Sequence, residues 1–385
     1  MHVLMISLDS SMLGNQRGNT VSRHQSYADR AGKLTVVTYN PIQQRKTPRR
    51  FAQNFSVHPV NAHPVLFPWR AYSVAAKLIR QQRPDVITTQ DPFSTGVVGV
   101  LLKLRFGIPL DMQNHSSFFN NEVWLRERPL RNRALHTLGK LLVRFADTHR
   151  VLTPGEKAHY LAMNIPEERV AIQHTPTDVG LFAAPVNARQ IAELRAALDI
   201  APDAPVILWV GRPVGFKNVP LLLAAYRRVR AERPDARLVL VGDFVNRVNF
   251  VRSAEAAGVV FAGRVEHDDL TLYYHMADVY AHSSRYEGFG KVLVEALAAG
   301  TPVCATHADG PDVIVRHAET GLLCEHTPEA LGDALLNLIN DPDRAQAMGR
   351  AGQADVLERF DYERQLDAIV ETFRNTIHIA GNKEA

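Results

Sequence analysis

Along the first half of the chain, short apolar runs alternate with longer stretches whose apolar residues recur every three or four positions. The runs at 3–8, 34–39, 85–90, 108–113 and 149–153 predict buried strands, and the stretches at 20–31, 71–82, 94–105 and 131–146 predict helices with one apolar face. Strands separated by helices of this length imply right-handed crossovers and a parallel sheet. Pro84-Asp85-Val86-Ile87-Thr88 and Ile108-Pro109-Leu110-Asp111-Met112 read as strands entered through proline, with polar residues towards their carboxyl ends.

A second series starts after Pro205. Strands are expected at 206–210, 237–241, 259–261, 278–282, 302–305 and 321–324, with a helix near 218–232. The segment from His174 to Ala184 has prolines and no helical period, so the junction between two doubly wound domains is expected there. Residues 329–379 read as helices, broken around Asp341-Pro342 and Phe360-Asp361. The expected division is 1–178, joined by 362–385, and 179–361. In open parallel sheets ligands gather at strand carboxyl ends where the winding reverses, so residues just past each strand are the ones to inspect.

Composition narrows the class. The 385 residues are 46% apolar and 22% charged, the balance of a soluble globular protein too long for one core. No stretch reaches the roughly 18 apolar residues of a membrane-spanning helix; the best, Val97 to Leu110, is broken by Lys103, Arg105 and Pro109. The opening Met-His-Val-Leu-Met-Ile-Ser-Leu stops at Asp9 and reads as a strand rather than a secretory leader. Cys304 and Cys324 sit in short apolar segments outside any metal-ligand spacing, which predicts reduced thiols and a cytoplasmic setting. The net charge of +4 is mild but clustered. Arg45, Lys46, Arg49 and Arg50 form one group; Arg126, Arg128, Arg131, Arg133, Lys140 and Arg144 form another, among Trp124, Leu130, Leu135, Leu138, Leu142 and Phe145. A solvated helix face explains the second group most simply. Docking on the anionic inner face of the cytoplasmic membrane is the sharper expectation. Nucleic acid is not expected as a partner, because no binding motif accompanies the charge.

The chemistry concentrates between Glu287 and Glu295. A strand ending at His282 leads into Ser283-Ser-Arg-Tyr-Glu-Gly-Phe-Gly290, and Lys291 to Ala299 follow as a helix. A glycine-bearing turn that opens a helix collects free backbone amides and the positive end of a dipole, which suits phosphate. Carboxylates suit sugar hydroxyls, since one carboxylate can accept from two neighbours. Gly211-Arg212 followed by Lys217 places two cations past another strand; alone they read as a solvated surface pair, but two cations at a strand end can also stabilise a diphosphate.

This pattern resembles the retaining GT-B glycosyltransferases of family four, whose C-terminal domain carries Glu, seven residues, Glu. The likeness runs on through Gly300-Thr301-Pro302-Val303, Asp309-Gly310-Pro311-Asp312 and Glu319-Thr320-Gly321-Leu322-Leu323. It implies an α/β GT-B fold: two Rossmann-like parallel-sheet domains facing across a cleft, with the C-terminal helix returning to the N-terminal domain. It also implies transfer of a sugar from a nucleoside-diphosphate sugar to a hydroxyl, with retention, through front-face substitution in which the leaving phosphate helps deprotonate the acceptor. By resemblance, Glu287 contacts donor-sugar hydroxyls and Glu295 the ribose. Arg212 and Lys217 clamp the diphosphate, the backbone at Phe289, Gly290, Lys291 and Val292 binds sugar and phosphates, and Val265 meets the base. In the N-terminal half, Gly18 matches the family's glycine loop and His115, in Gln113-Asn-His-Ser-Ser117, the position near the reacting sugar. Val151-Leu-Thr-Pro-Gly-Glu-Lys157 resembles a helix-capping segment. Asn218 departs from the glycine that usually follows the lysine, and separated glycines replace the paired-glycine loop after the first strand. The likeness is strong over 205–330 and looser before it.

No metal-binding Asp-x-Asp is read in the chain, so neither a metal nor another cofactor is expected beyond the donor substrate. The acceptor is expected to be a saccharide or a lipid-linked molecule of cell-envelope glycan synthesis. Three rivals share parts of the signal: a sugar-nucleotide epimerase of the same fold, a non-catalytic nucleotide-sugar-binding protein, and a nicotinamide-dependent oxidoreductase. The last needs a compact Gly-x-Gly-x-x-Gly after a first strand, which the spacing at 14–18 does not supply.

Overall fold

The structure, a computed structural model, describes residues 1–14, 19–244 and 258–382. The chain forms two compact units, Met1–His174 together with the chain from Glu363 onward, and Thr175–Tyr362.

Among the described residues the first unit holds β1 (His2–Ser7), β2 (Lys33–Pro41), β3 (Arg49–Ala52), β4 (Phe55–Ala62), β5 (Val86–Thr89), β6 (Leu110–Gln113), β7 (Thr148–Val151) and β8 (Val170–Ile172). They form one sheet in the order β3-β4-β2-β1-β5-β6-β7-β8. β1 is buried from Val3 to Ser7, and β5, β6 and β7 are buried at every position. Strands covered on both faces of a parallel sheet are buried in this way, even where, as in β6 and β7, they carry polar residues.

The sheet is mixed, not wholly parallel. β3 runs antiparallel to β4, pairing Arg49 with Val57 and Arg50 with Ser56. Neither strand was expected, because His58 and Pro59 interrupt the pattern and the basic residues mask an edge. The alternation is nonetheless present: Phe55 and Val57 are buried while Ser56 and His58 are half-buried. Pro59 lies beyond the stretch that β3 pairs with, where a missing N–H is tolerated. Part of the first basic cluster is structural as well. Arg49 donates to the Gly14 carbonyl at 2.6 Å and lies over the Phe51 ring, and Arg50 donates to the carbonyls of Ala52 and Gln53.

The C-terminal helix Tyr362–Gly381 belongs to this first unit from Glu363 onward. Leu366, Ile369, Val370 and Phe373, at three- and four-residue spacing, are buried. Arg30 pairs with Glu363 and with Asp367, and the hydroxyls of Thr148 and Thr376 meet at 2.7 Å.

The second unit holds β9 (Val206–Val210), β10 (Arg237–Val241), β11 (Val259–Gly263), β12 (Val279–His282), β13 (Val303–Thr306) and β14 (Gly321–Cys324). All described pairings are parallel, in the order β11-β10-β9-β12-β13-β14. The helices Val219–Glu232 and Pro328–Ile339 supply Leu222, Ala225, Leu331 and Leu335 to the core on one face. Both cysteines are free thiols, on neighbouring strands β13 and β14. Residues Val179–Ala183 form a short helix where an irregular junction was expected. Asp178 caps it by accepting from the Leu181 amide, and Val179 and Phe182 are buried.

If the C-terminal helix is part of the first unit's core, Phe373→Ala should destabilise that unit by about 3–5 kcal/mol. Denaturant unfolding followed by a probe in the first unit would show its transition moving earlier.

Candidate active site

In the second sheet the winding reverses between β9 and β12, which are paired neighbours: the chain goes from β9 outwards to β10 and β11, then returns to β12 and continues to β13 and β14. The carboxyl ends of β9 and β12 are therefore the switch point of this unit. Past β9 the chain runs through Gly211 and Arg212 into a 3-10 turn at Gly215–Lys217, then Asn218, then the helix Val219–Glu232. Asn218 has φ +49°, a left-handed conformation that asparagine adopts more readily than other residues with a side chain. That accounts for asparagine in a glycine position. Past β12 comes the loop 283–290.

The two loops are stitched together. Arg285 N–H donates to the Phe216 carbonyl at 2.7 Å, the Ser283 hydroxyl donates to the Lys217 carbonyl at 2.9 Å, and the Phe216 and Tyr286 rings stack at 5.0 Å. In this frame Lys217 Nζ bonds Glu287 Oε2. The same oxygen accepts from His282 Nε2 at 3.3 Å and from the Ser284 hydroxyl at 3.4 Å. Oε1 has no hydrogen-bond partner among the described residues. The Lys217 and Glu287 side chains are only 14% and 16% exposed. Burial acts to raise the Glu287 pKa, but the hydrogen bond from His282 and the Lys217 charge outweigh it and hold it at about 2. Burial lowers the His282 pKa, against the pull of its bond to Glu287.

Beyond Glu287, Phe289 is buried against Phe360, ring centroids 5.5 Å apart, and Gly290 takes φ +95°. Gly290 stands at the N-cap of the helix Lys291–Ala298 and makes no side-chain cap. The helix therefore opens on the first-turn amides at Lys291 and Val292, which point out of its amino-terminal end. Close contact holds the loop from the other side. Gly310 N–H donates to the Glu287 carbonyl at 3.2 Å, and a Cβ at Gly310 would lie 2.1 Å from the Phe289 carbonyl oxygen. Only glycine fits there.

Glu295, 3% exposed, lies inside the helix. Its Oε2 accepts from the Tyr274 hydroxyl at 2.9 Å, and its Oε1 from His267 Nε2 at 3.2 Å, with Lys291 Nζ at 3.7 Å. Burial works to raise its pKa, but the His267 bond and the Lys291 charge outweigh that and lower it.

The structure thus brings together Lys217, Glu287, Phe289, Gly290 and Lys291 at one switch point, with Glu295 one helix turn further in. Arg212 is exposed and its side chain has no described hydrogen bond or ion pair. Val265 is half-buried in the loop after β11. Gly18 lies outside the described residues. His115 belongs to the first unit, past β6, where Gln113 Oε1 accepts from His115 Nε2 at 2.8 Å and from Arg150 Nη1 at 2.8 Å. Gln113 Nε2 continues the line to Thr88, whose hydroxyl donates to Asp111. Burial, with Arg150 nearby, pushes the His115 pKa well below the ordinary range, so the ring is neutral at pH 7.

Sequence reasoning passed over His282 and Ser284 as functional residues, and the anchors His267 and Tyr274. His282 could have been singled out as a histidine at a strand end five residues before Glu287. The anchors had no local signal. One expectation needs correcting: Asp341-Pro342-Asp343 is an Asp-x-Asp in letter. Asp341 is a helix N-cap there, accepting from the Arg344 amide at 3.1 Å, so it is committed to capping. Among the described residues no group of three or more His, Cys, Asp or Glu is placed to hold a metal ion. A cavity of about 680 Å³ in this unit is lined by Arg195, Arg233 and Asp278 at the amino ends of the strands, away from the cluster.

Residues 190–355 match the family described as "Glycosyl transferases group 1", and residues 24–175 match "Glycosyl transferase 4-like domain". The D-inositol 3-phosphate glycosyltransferase of Segniliparus rotundus is 30% identical over 300 residues, 73% of this chain and 64% of the relative. The alpha-monoglucosyldiacylglycerol synthase of Streptococcus pneumoniae is 27% identical over 286 residues, 72% of this chain and 64% of the relative. The chain thus aligns with a little under two thirds of the length of these two relatives. Among solved structures, sucrose-phosphate synthase from Thermosynechococcus elongatus superposes with a TM-score of 0.82 at 24% identity, covering 98% of this chain and 100% of that one. That likeness shows a GT-B fold.

Because the folded pKa of Glu287 lies below the unfolded value of 4.5, its contribution is fully present above pH 4.5 and is lost as pH falls towards about 2. Between pH 5.5 and pH 3 the native chain should therefore lose about 2 kcal/mol more stability than Glu287→Gln. Urea midpoints of the second unit, measured on both proteins across that range, would show the difference.

Proposed function

The chain belongs to the group 1 glycosyl transferases of the GT-B fold, and family 4 fits it; from this premise we propose that it transfers a sugar, with retention, from a nucleoside-diphosphate sugar to a hydroxyl acceptor. One observation carries the reading: a cation, a carboxylate with one unengaged oxygen, and the amino-terminal start of a helix converge at the switch point of the second sheet. Lys217, Arg212 and the amides at Lys291 and Val292 supply positive charge for a diphosphate without a metal. Glu287 Oε1 accepts from a sugar hydroxyl, and Glu295, with two of its four acceptor positions used, takes the ribose. The bond from the anomeric carbon to the diphosphate oxygen breaks, and a bond to the acceptor oxygen forms on the same face. The acceptor proton passes to the departing phosphate oxygen, so the diphosphate carries the electron pair away.

The acceptor in this proposal is a phosphorylated polyol or a lipid, the two kinds of molecule in the relatives' names, in cell-envelope glycan synthesis. Exposed apolar side chains beside basic ones support a membrane-borne acceptor. Val65 is 74% and Trp69 66% exposed, next to Arg70, and Leu130 is 91% exposed between the exposed Arg128 and Arg131. No described helix is long and apolar enough to cross a membrane. Docking at an anionic surface would be peripheral.

Of UDP, GDP, ADP and dTDP, one should raise the melting temperature well above the others, since binding only the native state stabilises it. With that base in the donor, turnover should persist in EDTA, and Lys217→Ala should lower kcat/KM roughly 10²- to 10³-fold. Activity that vanished with chelator and returned only with Mg²⁺ or Mn²⁺ would end the metal-free reading. Sugar exchange on the donor without acceptor would point to an epimerase. Co-sedimentation should be greater with anionic than with zwitterionic vesicles and should fall with Trp69→Ala; equal binding to both would remove the docking proposal.

A further inference from the structure

Three donors converge on a single oxygen of Glu287. Two of them, His282 Nε2 and the Ser284 hydroxyl, come from the strand end and loop that carry the glutamate; the third, Lys217, comes from the other side of the switch point. Lys217 is thus engaged by Glu287 where the proposed function needs its charge on a diphosphate. One ammonium has three N–H groups, but a charge drawn towards a doubly charged neighbour loosens its hold on the first partner. Something else must then keep Glu287 in place.

His282 meets that requirement. Its side chain is 1% exposed, and its Nδ1 is buried with no partner among the described residues. Glu287 Oε2 is an acceptor only, so Nε2 carries the proton and Nδ1 the lone pair; the ring is a neutral donor with a fixed tautomer. The charged and titratable groups that bear on it are Glu287 on its own loop, Lys217 past β9, and His326 past β14. Burial and the Lys217 charge disfavour a second proton on the ring, so it holds the carboxylate without cancelling its charge. The Ser284 hydroxyl, 3.1 Å from the same Nε2, completes a local clamp that does not depend on Lys217.

We propose that His282 is the positioning residue of the donor site: it keeps Glu287 oriented, with Oε1 turned to the donor sugar, while Lys217 moves its charge to the donor diphosphate. The inference rests on the donor-site reading above and adds a division of labour. Glu287 has one partner that ligand binding competes for and one that it does not.

The test compares His282→Gln, whose amide nitrogen falls near the position of Nε2, with His282→Leu, which fills the space and donates nothing. With the nucleotide sugar selected by the screen above, the Leu variant should lose roughly 10- to 100-fold in kcat/KM, the range for a lost hydrogen bond to a charged group. The Gln variant should stay within about threefold of the native chain, at a similar melting temperature. The acidic limb of the pH profile should move up in the Leu variant and stay in place in the Gln variant, because an unheld Glu287 protonates more easily. If the Leu variant does not fold, His282→Asn, too short to reach Glu287, takes its place with the same expectation. A Leu or Asn variant as active as the native chain, or Leu and Gln variants equally impaired with unchanged pH profiles, would overturn the inference. A native chain that turns over no nucleotide sugar would instead sink the donor-site reading itself.

Discussion

The second unit depends on one buried ion pair, Lys217 with Glu287. Taking both charges out of water costs several kcal/mol per ion, and a lone pair in that setting rarely recovers it. Here the geometry helps. The carboxylate oxygen that meets the ammonium also receives a histidine N–H and a serine hydroxyl, so the buried charge is spread over three donors. The backbone is drawn along with it. Phe216 and Tyr286 stack, Arg285 N–H reaches the Phe216 carbonyl, and Gly310 packs against Phe289 with no room for a methyl group. Loops from β9 and β12 and the turn at Gly310 become one rigid rim over the switch point.

A rim of this kind explains how the unit can present both signs of charge in one place. An isolated lysine and glutamate on a surface would be screened and mobile. Held below 20% exposure and cross-linked through backbone groups, they retain direction. Glu287 keeps one oxygen unengaged, and the helix at Lys291–Ala298 starts beside it behind Gly290, which has no side chain to cap it. Glu295 follows the same principle, with Tyr274 and His267 fixing its orientation from below.

The first unit holds a buried carboxylate with hydroxyl donors in place of a lysine. Asp111 is fully buried on β6 and accepts from Thr88 and Thr148, while Gln113 relays between Thr88 and the buried Arg150. Burial raises the Asp111 pKa to about 6, against these bonds. Arg150 also holds the carbonyls of Gln173 and His174, tying the polar line to the last residues of the unit's first segment. The line ends at His115, whose Nε2–H is directed into Gln113 and whose ring stays neutral.

Much of this was legible in the chain. Short apolar runs and period-3.6 patterns located eleven of the described strands and the larger helices, because strands buried on both sheet faces tend towards apolar runs. Glu287, Glu295 and Lys217 stood out through the resemblance to family four, helped by their place in or beside glycine-bearing turns at strand ends. Other features left none. The strands at Arg49–Ala52 and Phe55–Ala62 lie at a sheet edge, where one solvated side and a tolerated proline blur the alternation. Nor does any spacing reveal that Lys217 and Glu287, 70 residues apart, share an oxygen with His282. Local order along the chain determined the elements and the polar residues at their ends. Which of those residues meet was decided by strand order, because β9 and β12 become neighbours only when the sheet is assembled.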